Sequence, residues 1–174
     1  MILRATTTAL GLAAAAVMLS GCLAPAPEPT PTSTAVFASE DDAFAAAEET
    51  YRAYVDAANQ RREDATSDPD PQSFLVGDAL QTDIDSRREF DDLGVRIVGP
   101  SEISAIALQS ADLNTGDVAI RACYDSTAAR VVNEVGDDVT KPDRDPTVLV
   151  QVSLTPVGSQ LLIANISAVE GGSC

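Results

Sequence analysis

Helical periodicity in the N-terminal half and alternating strands in the C-terminal half predict an α+β fold. N-terminal helices should pack on one face of a curved, mostly antiparallel sheet. Three observations carry this expectation. Apolar residues recur at helical spacing from Phe44 to Ala58. After Gly94 the period drops to two. Short turn signals then separate successive strands, as in a run of hairpins. The composition fits a packed domain: 45% of the 174 residues are apolar, but only 4% are aromatic and none is Trp. The core must therefore be built from Val, Ile, Leu and Ala.

Ser39 opens the first helix. In Ser39-Glu-Asp-Asp42 the serine is the cap, and Asp42 stands where a capping box has Glu. Phe44, Ala47, Tyr51, Tyr54, Val55 and Ala58 form one face, and the helix is expected over 41–60. Arg61 to Pro71 reads as a polar loop. Pro71 suits the first position of a short helix to Val76, with Asp70 as its cap and Gly77 as its stop. A further helix runs from Asp78 to Leu93, with Leu80, Ile84 and Arg88 on its buried side, and Gly94 ends it. Strands follow at 95–98, 102–110, 118–125, 129–134, 148–154 and 160–168. The turn signals between them include Gly99-Pro100, 112–117 and 157–159.

The first 38 residues have a different character. Arg4 precedes the apolar run Ala9–Leu19, which is too short to span a bilayer as a mature helix. The run ends in Leu19-Ser20-Gly21-Cys22, which resembles the lipobox of bacterial lipoproteins. The resemblance implies that residues 1–21 are a signal peptide and that Cys22 carries a diacylglyceryl group on its sulfur. Attachment would then be to membrane lipid, on the extracytoplasmic face of the cell membrane. Pro25, Pro27, Pro29 and Pro31 alternate with small or polar residues. Such a segment favours polyproline II, at about 3.1 Å per residue, so residues 23–38 would hold the domain up to roughly 50 Å from the lipid.

The order helix, short helix, helix, then sheet resembles the nuclear-transport-factor-2-like cone, and in particular small actinobacterial lipoproteins of that class. Arg121-Ala-Cys-Tyr-Asp-Ser126, Val131-Val-Asn-Glu-Val-Gly136 and the closing Cys174 carry the resemblance, which covers 39–174. With Cys22 acylated, Cys123 and Cys174 are the remaining cysteines. An exported chain is expected to oxidise them to a disulfide. The other reading is two free thiols, one of them buried. A redox pair lacks the C-x-x-C spacing.

Charge and composition remove several functions. There are 27 acidic and 11 basic residues, a net charge of −16, which repels phosphate backbones and argues against a nucleic-acid partner. Histidine is absent, so this chain supplies no Ser-His or Cys-His machinery and no imidazole ligand for zinc. The Asp-rich stretches 68–70 and 137–138 do not follow the D-x-[DN]-x-[DN]-G calcium loop and read as solvated turns. No cofactor and no metal are expected.

The cone superfamily includes acid–base enzymes of the ketosteroid isomerase and SnoaL-like kind. These place a carboxylate with a tyrosine or second carboxylate in an apolar cavity. That resemblance makes Tyr51, Tyr54, Asp56, Tyr124 and Asp125 the candidates. Asp56 falls on the polar face of its helix, and Asp125 points opposite to Tyr124 at a turn. Neither sits in a catalytic motif, so no catalytic residue is assigned. Tyr51, Tyr54 and Tyr124 are expected to fill the cone with hydroxyls near its mouth and to be its ligand contacts. The leading expectation is a non-enzymatic, lipid-anchored module that binds a small apolar ligand or another envelope protein. The alternative is a cavity acid–base enzyme.

Overall fold

The computed structural model describes residues 35–174. The expected leader, the expected lipidation site Cys22 and the expected spacer as far as residue 34 lie outside the described residues. Val36 and Phe37, at the end of the spacer, are tied to the domain: both backbone N–H groups donate to the Leu113 carbonyl, and Phe37 packs against the core.

The domain is α+β. Helix α1 spans Glu40–Glu63, a 3-10 turn spans Pro71–Phe74 and α2 spans Gly77–Asp92. The strands are β1 (Val95–Val98), β2 (Glu102–Ala111), β3 (Val118–Asp125), β4 (Arg130–Asn133), β5 (Thr147–Val157) and β6 (Gln160–Ala168). Among the described residues no helix is long and apolar enough to cross a membrane.

Local chemistry explains the helix ends. The Ser39 hydroxyl oxygen accepts from the Asp42 N–H at 3.1 Å and donates to the Asp42 carboxylate at 2.8 Å. The return arm of the capping box thus reaches the serine hydroxyl rather than its backbone, because Asp is one methylene shorter than Glu. At the other end α1 runs through Arg61 and Arg62, which were expected in a loop. The Asp70 carboxylate caps the 3-10 turn by accepting from Gln72 N–H at 2.9 Å. Gly77 does not stop that turn. The turn ends at Phe74, Leu75 bridges to Ile163, and the Val76 N–H donates to the Ile163 carbonyl. This pins the connection to β6, and Gly77 instead opens α2. Arg88 is not on the buried side of α2 either. It is exposed and pairs with Asp85, while Ala79, Asp83 and Phe90 face inward.

All strand pairs are antiparallel, but not in simple hairpin succession. One sheet has the order β2-β3-β5-β6, and β1 pairs with β4 in a second, two-stranded sheet. The chain therefore leaves the large sheet after β3, forms β4 against β1, and returns as β5 beside β3.

Helix α1 lies on one face of the large sheet, and α2 packs along β6 and β1. The core between them holds Ala43, Ala47, Tyr51 and Val55 of α1. The sheet contributes Val118, Ile120 and Ala122 of β3, Val150, Val152 and Leu154 of β5, and Ile163 of β6. Strict alternation places these β3 and β5 residues inward. Strands β2 and β6 depart from it for a definite reason. Register shifts fall between Ile103 and Ala105, between Leu108 and Ser110, and opposite the Ser153–Leu154 step. Each extra residue moves the pattern on by one, so Ile103, Ile106, Leu108 and Ala111 all turn inward, as do Ile163 and Ile166. Such bulges also bend their strands.

Cys123 and Cys174 form a disulfide with Cα atoms 5.7 Å apart. Cys123 lies on β3 between the inward-facing Ala122 and Tyr124. The bond therefore ties the C-terminal tail to the face of the sheet opposite the helices.

Candidate functional site

A cavity of about 640 Å³ opens between α1, α2, β1 and the inner face of the large sheet. That volume lies in the range of small-molecule sites. The walls are mostly apolar, formed by Val55, Phe90, Val150 and Ile166 together with the rings of Tyr51, Tyr54 and Tyr124. The three expected tyrosines thus meet in one place. Asp56 and Asp125 do not join them. Asp56 is exposed on α1, and Asp125 is held below the ordinary carboxyl value by the side chain of Thr127 and then by the Thr127 N–H, which donates to it at 2.8 Å.

Tyr51 is the deepest of the three, 2% exposed, and its ring centroid lies 6.3 Å from that of Tyr54. Burial pushes the Tyr51 hydroxyl well above its usual pKa, with a further rise from the neighbouring tyrosines. Tyr54 is pushed up to about 12, first by burial and then by the negative charge of Asp83; Arg61 and Arg62 oppose the rise. Both phenols are therefore neutral over the physiological range.

Two ionic groups shape the mouth. Arg61 forms a forked pair with Asp83, Nη1 to Oδ2 at 3.1 Å and Nη2 to Oδ1 at 2.7 Å. The side chains are only 18% and 12% exposed. Gln72 Nε2 donates to the same carboxylate at 2.9 Å. Burial alone would raise the Asp83 pKa, but the hydrogen bonds from Arg61 and Gln72 outweigh it and hold the carboxyl below its ordinary value. Asp83 is thus ionised and already paired.

Arg62 is held differently. Its Nη1 donates to Ser101 Oγ at 2.8 Å and to Asn59 Oδ1 and the Gly99 carbonyl at 3.2 Å, and Nη2 donates to the Tyr124 hydroxyl at 3.1 Å. Asn59 and Ser101 are themselves locked together. Ser101 N–H donates to Asn59 Oδ1 at 2.9 Å, and Asn59 Nδ2 donates to the Ser101 carbonyl at 2.8 Å. Ser101 is 2% exposed, and half-buried bonds stitch the last turn of α1 to the β1–β2 connection.

Arg61, Arg62, Asp83 and Phe90 were not among the sequence candidates. Ending α1 at residue 60 put both arginines in a loop. The signal for the α2 residues was present as the stripe Ala79, Asp83 and Phe90. The face expected from the sequence was Leu80, Ile84 and Arg88, of which Leu80 does pack against the core. Among the described residues no group of three or more His, Cys, Asp or Glu could hold a metal ion.

No protein-family model matches the chain. No curated protein matches it. Among solved structures, the chain is similar to the crystal structure of the intermembrane space region of chloroplast protein ARC6. The identity is 16% and the TM-score 0.44, over 70% of this chain and 95% of that one.

Proposed function

We propose that the chain is an exported lipoprotein, anchored through Cys22 on the extracytoplasmic face of the cell membrane. In this reading its α+β domain is a nuclear-transport-factor-2-like cone that binds a small, largely apolar ligand without transforming it. One observation carries the binding role: the open cavity of about 640 Å³ on which Tyr51, Tyr54 and Tyr124 converge. The disulfide supports export, because such bonds persist in oxidising compartments.

The same site weighs against the acid–base alternative. A general acid or base needs a carboxyl with a pKa near the working pH. Asp83, the half-buried carboxylate of the cavity, is instead drawn down by Arg61. The envelope-protein version has a smaller basis, the exposed Leu93 and Val135 on one shallow depression beside β1 and β4.

Titration of the purified full chain with a neutral fluorescent naphthylamine tests the binding role. Saturable enhancement, weakened in Tyr54→Ala, is the expected result, and a linear, non-saturating response sinks it. Intact-mass analysis of membrane-fraction protein tests the anchor. Acyl mass should appear on the native chain and vanish in Cys22→Ser.

A further inference from the structure

We propose that the cavity takes an amphipathic anion, with an apolar body between the tyrosines and Phe90 and a negatively charged group at Arg62, Arg87 and Arg96. This deepens the binding role proposed above and rests on it.

The argument starts from where the positive charge lies. The chain has 11 basic residues against 27 acidic ones. Even so, four arginines line this one cavity: Arg61, Arg62, Arg87 and Arg96. Arg61 is neutralised by Asp83. Among the described residues, the other three have no carboxylate within 4.0 Å, although the charge of Arg87 also helps to draw down the Asp83 carboxyl. Glu63 and Asp91 also line the mouth, but neither approaches an arginine that closely.

Arg62 is the telling member. A half-buried guanidinium is ordinarily paired with a carboxylate. Here the hydrogen-bond acceptors of Arg62 are all neutral: a serine hydroxyl, an asparagine oxygen, a backbone carbonyl and a tyrosine hydroxyl. They fix its position without cancelling its charge. Its Nε–H has no acceptor among the described residues. A pre-positioned cation with an unused donor beside an apolar cavity suits a carboxylate or phosphate head, to which guanidinium donates in a charge-assisted geometry.

The overall negative charge does not override this. At physiological ionic strength the Debye length is about 8 Å, so distant carboxylates are screened, and among the groups lining the cavity four arginines face three carboxylates, Glu63, Asp83 and Asp91. The wall chemistry supplies the other half of the ligand, since Val55, Phe90, Val150 and Ile166 offer nothing to a bare anion. The volume suits a single-tailed or fused-ring body.

The test is calorimetric titration of the full chain with three probes of matched tail, all below their micellar concentrations: decanoate, decanol and decyltrimethylammonium. Decanoate is expected to bind at least ten-fold more tightly than decanol, with the ratio shrinking as salt is raised, and the cation should bind most weakly. The double variant Arg87→Gln/Arg96→Gln alters exposed side chains outside the core, and circular dichroism checks that it keeps the native fold. It should bring decanoate to within about three-fold of decanol while leaving decanol binding unchanged. Acetate, which lacks the tail, should not compete. Equal binding of decanol and decanoate, or a ratio unmoved in the double variant, overturns the anion assignment while the binding role stands. Failure of all three probes to bind overturns both.

Discussion

The Tyr124 hydroxyl lies between Arg62 and Ser101, accepting from Arg62 Nη2 at 3.1 Å and donating to Ser101 Oγ at 2.7 Å. This one phenol therefore links β3 to the end of α1 and to the β1–β2 connection, at the mouth of the cavity. Tyr124→Phe keeps the ring and removes both bonds. A hydrogen bond to a charged group contributes about 1.5–3 kcal/mol and a neutral one about 1 kcal/mol. Urea unfolding should show a loss of about 2 kcal/mol with an unchanged m-value. A loss below about 0.5 kcal/mol would show that the link carries no stability.

The Cys123–Cys174 bond closes a loop with a sequence separation of 51. On the chain-entropy account such a loop contributes about 4 kcal/mol by restricting the unfolded state. Cys123→Ala/Cys174→Ala should lower the urea midpoint accordingly. Non-reducing peptide mapping of the native protein should recover the linked pair.

Asp83 gives the domain an acid-sensitive element. Its folded pKa lies below the ordinary value. The unfolded state therefore binds the proton more readily, and the stabilisation is present above the unfolded pKa of about 3.9 and lost as pH falls through the folded value. The melting temperature of the native chain should fall more steeply below pH 4 than that of Asp83→Asn. The gap between the two should be widest near pH 6 and close towards pH 3. A gap independent of pH would dissociate the pair from acid unfolding.

Tyr54, pushed up to about 12, and Tyr51, raised further in the same direction, act at the other end of the scale. Both are raised, so folding favours the neutral phenol. That contribution is intact below the unfolded value near 10 and is lost as pH rises above it. Absorbance at 295 nm should show these two tyrosines ionising together with alkaline unfolding. Tyr54→Phe should remove one late-titrating phenol. Ionisation of both near pH 10 in a chain with native circular dichroism would contradict their burial.

Gly99 adopts φ +83°, and a Cβ placed there would run into the Ala128 carbonyl oxygen. Gly99→Ala combines that clash with a backbone conformation costing about 1–3 kcal/mol for a side-chain-bearing residue. It should destabilise by at least 2 kcal/mol. It should also weaken the binding of decanoate proposed above, because the Gly99 carbonyl accepts from Arg62. Wild-type stability in this variant would mean that the β1–β2 connection yields more easily than its packing implies.

Much of the architecture was written locally. The Ser39 cap, the apolar stripe of α1, the Asp70 cap, Gly94 at the end of α2 and the alternation of β3 and β5 each depend on neighbours in sequence, and all lie where periodicity put them. The cysteine pairing followed from composition and from the reading of Cys22. The partnering of strands was not legible. That β4 leaves β3 to join β1 depends on contacts between residues more than thirty positions apart, such as Val98 with Arg130 and Val95 with Asn133. Single extra residues in β2 and β6 likewise change which side chains face inward only once a partner strand fixes the register. The site shows the same division. Three tyrosines on an apolar face announce a lined interior. The charge at its mouth arises because α1 continues by three residues past Gln60 and α2 presents Asp83 inward, bringing Arg61, Arg62 and Asp83 together from separate helices. Local sequence sets torsions, caps and periods. Only the closed packing of distant segments decides which charges meet, and whether a guanidinium finds a carboxylate or is left holding its charge towards an open cavity.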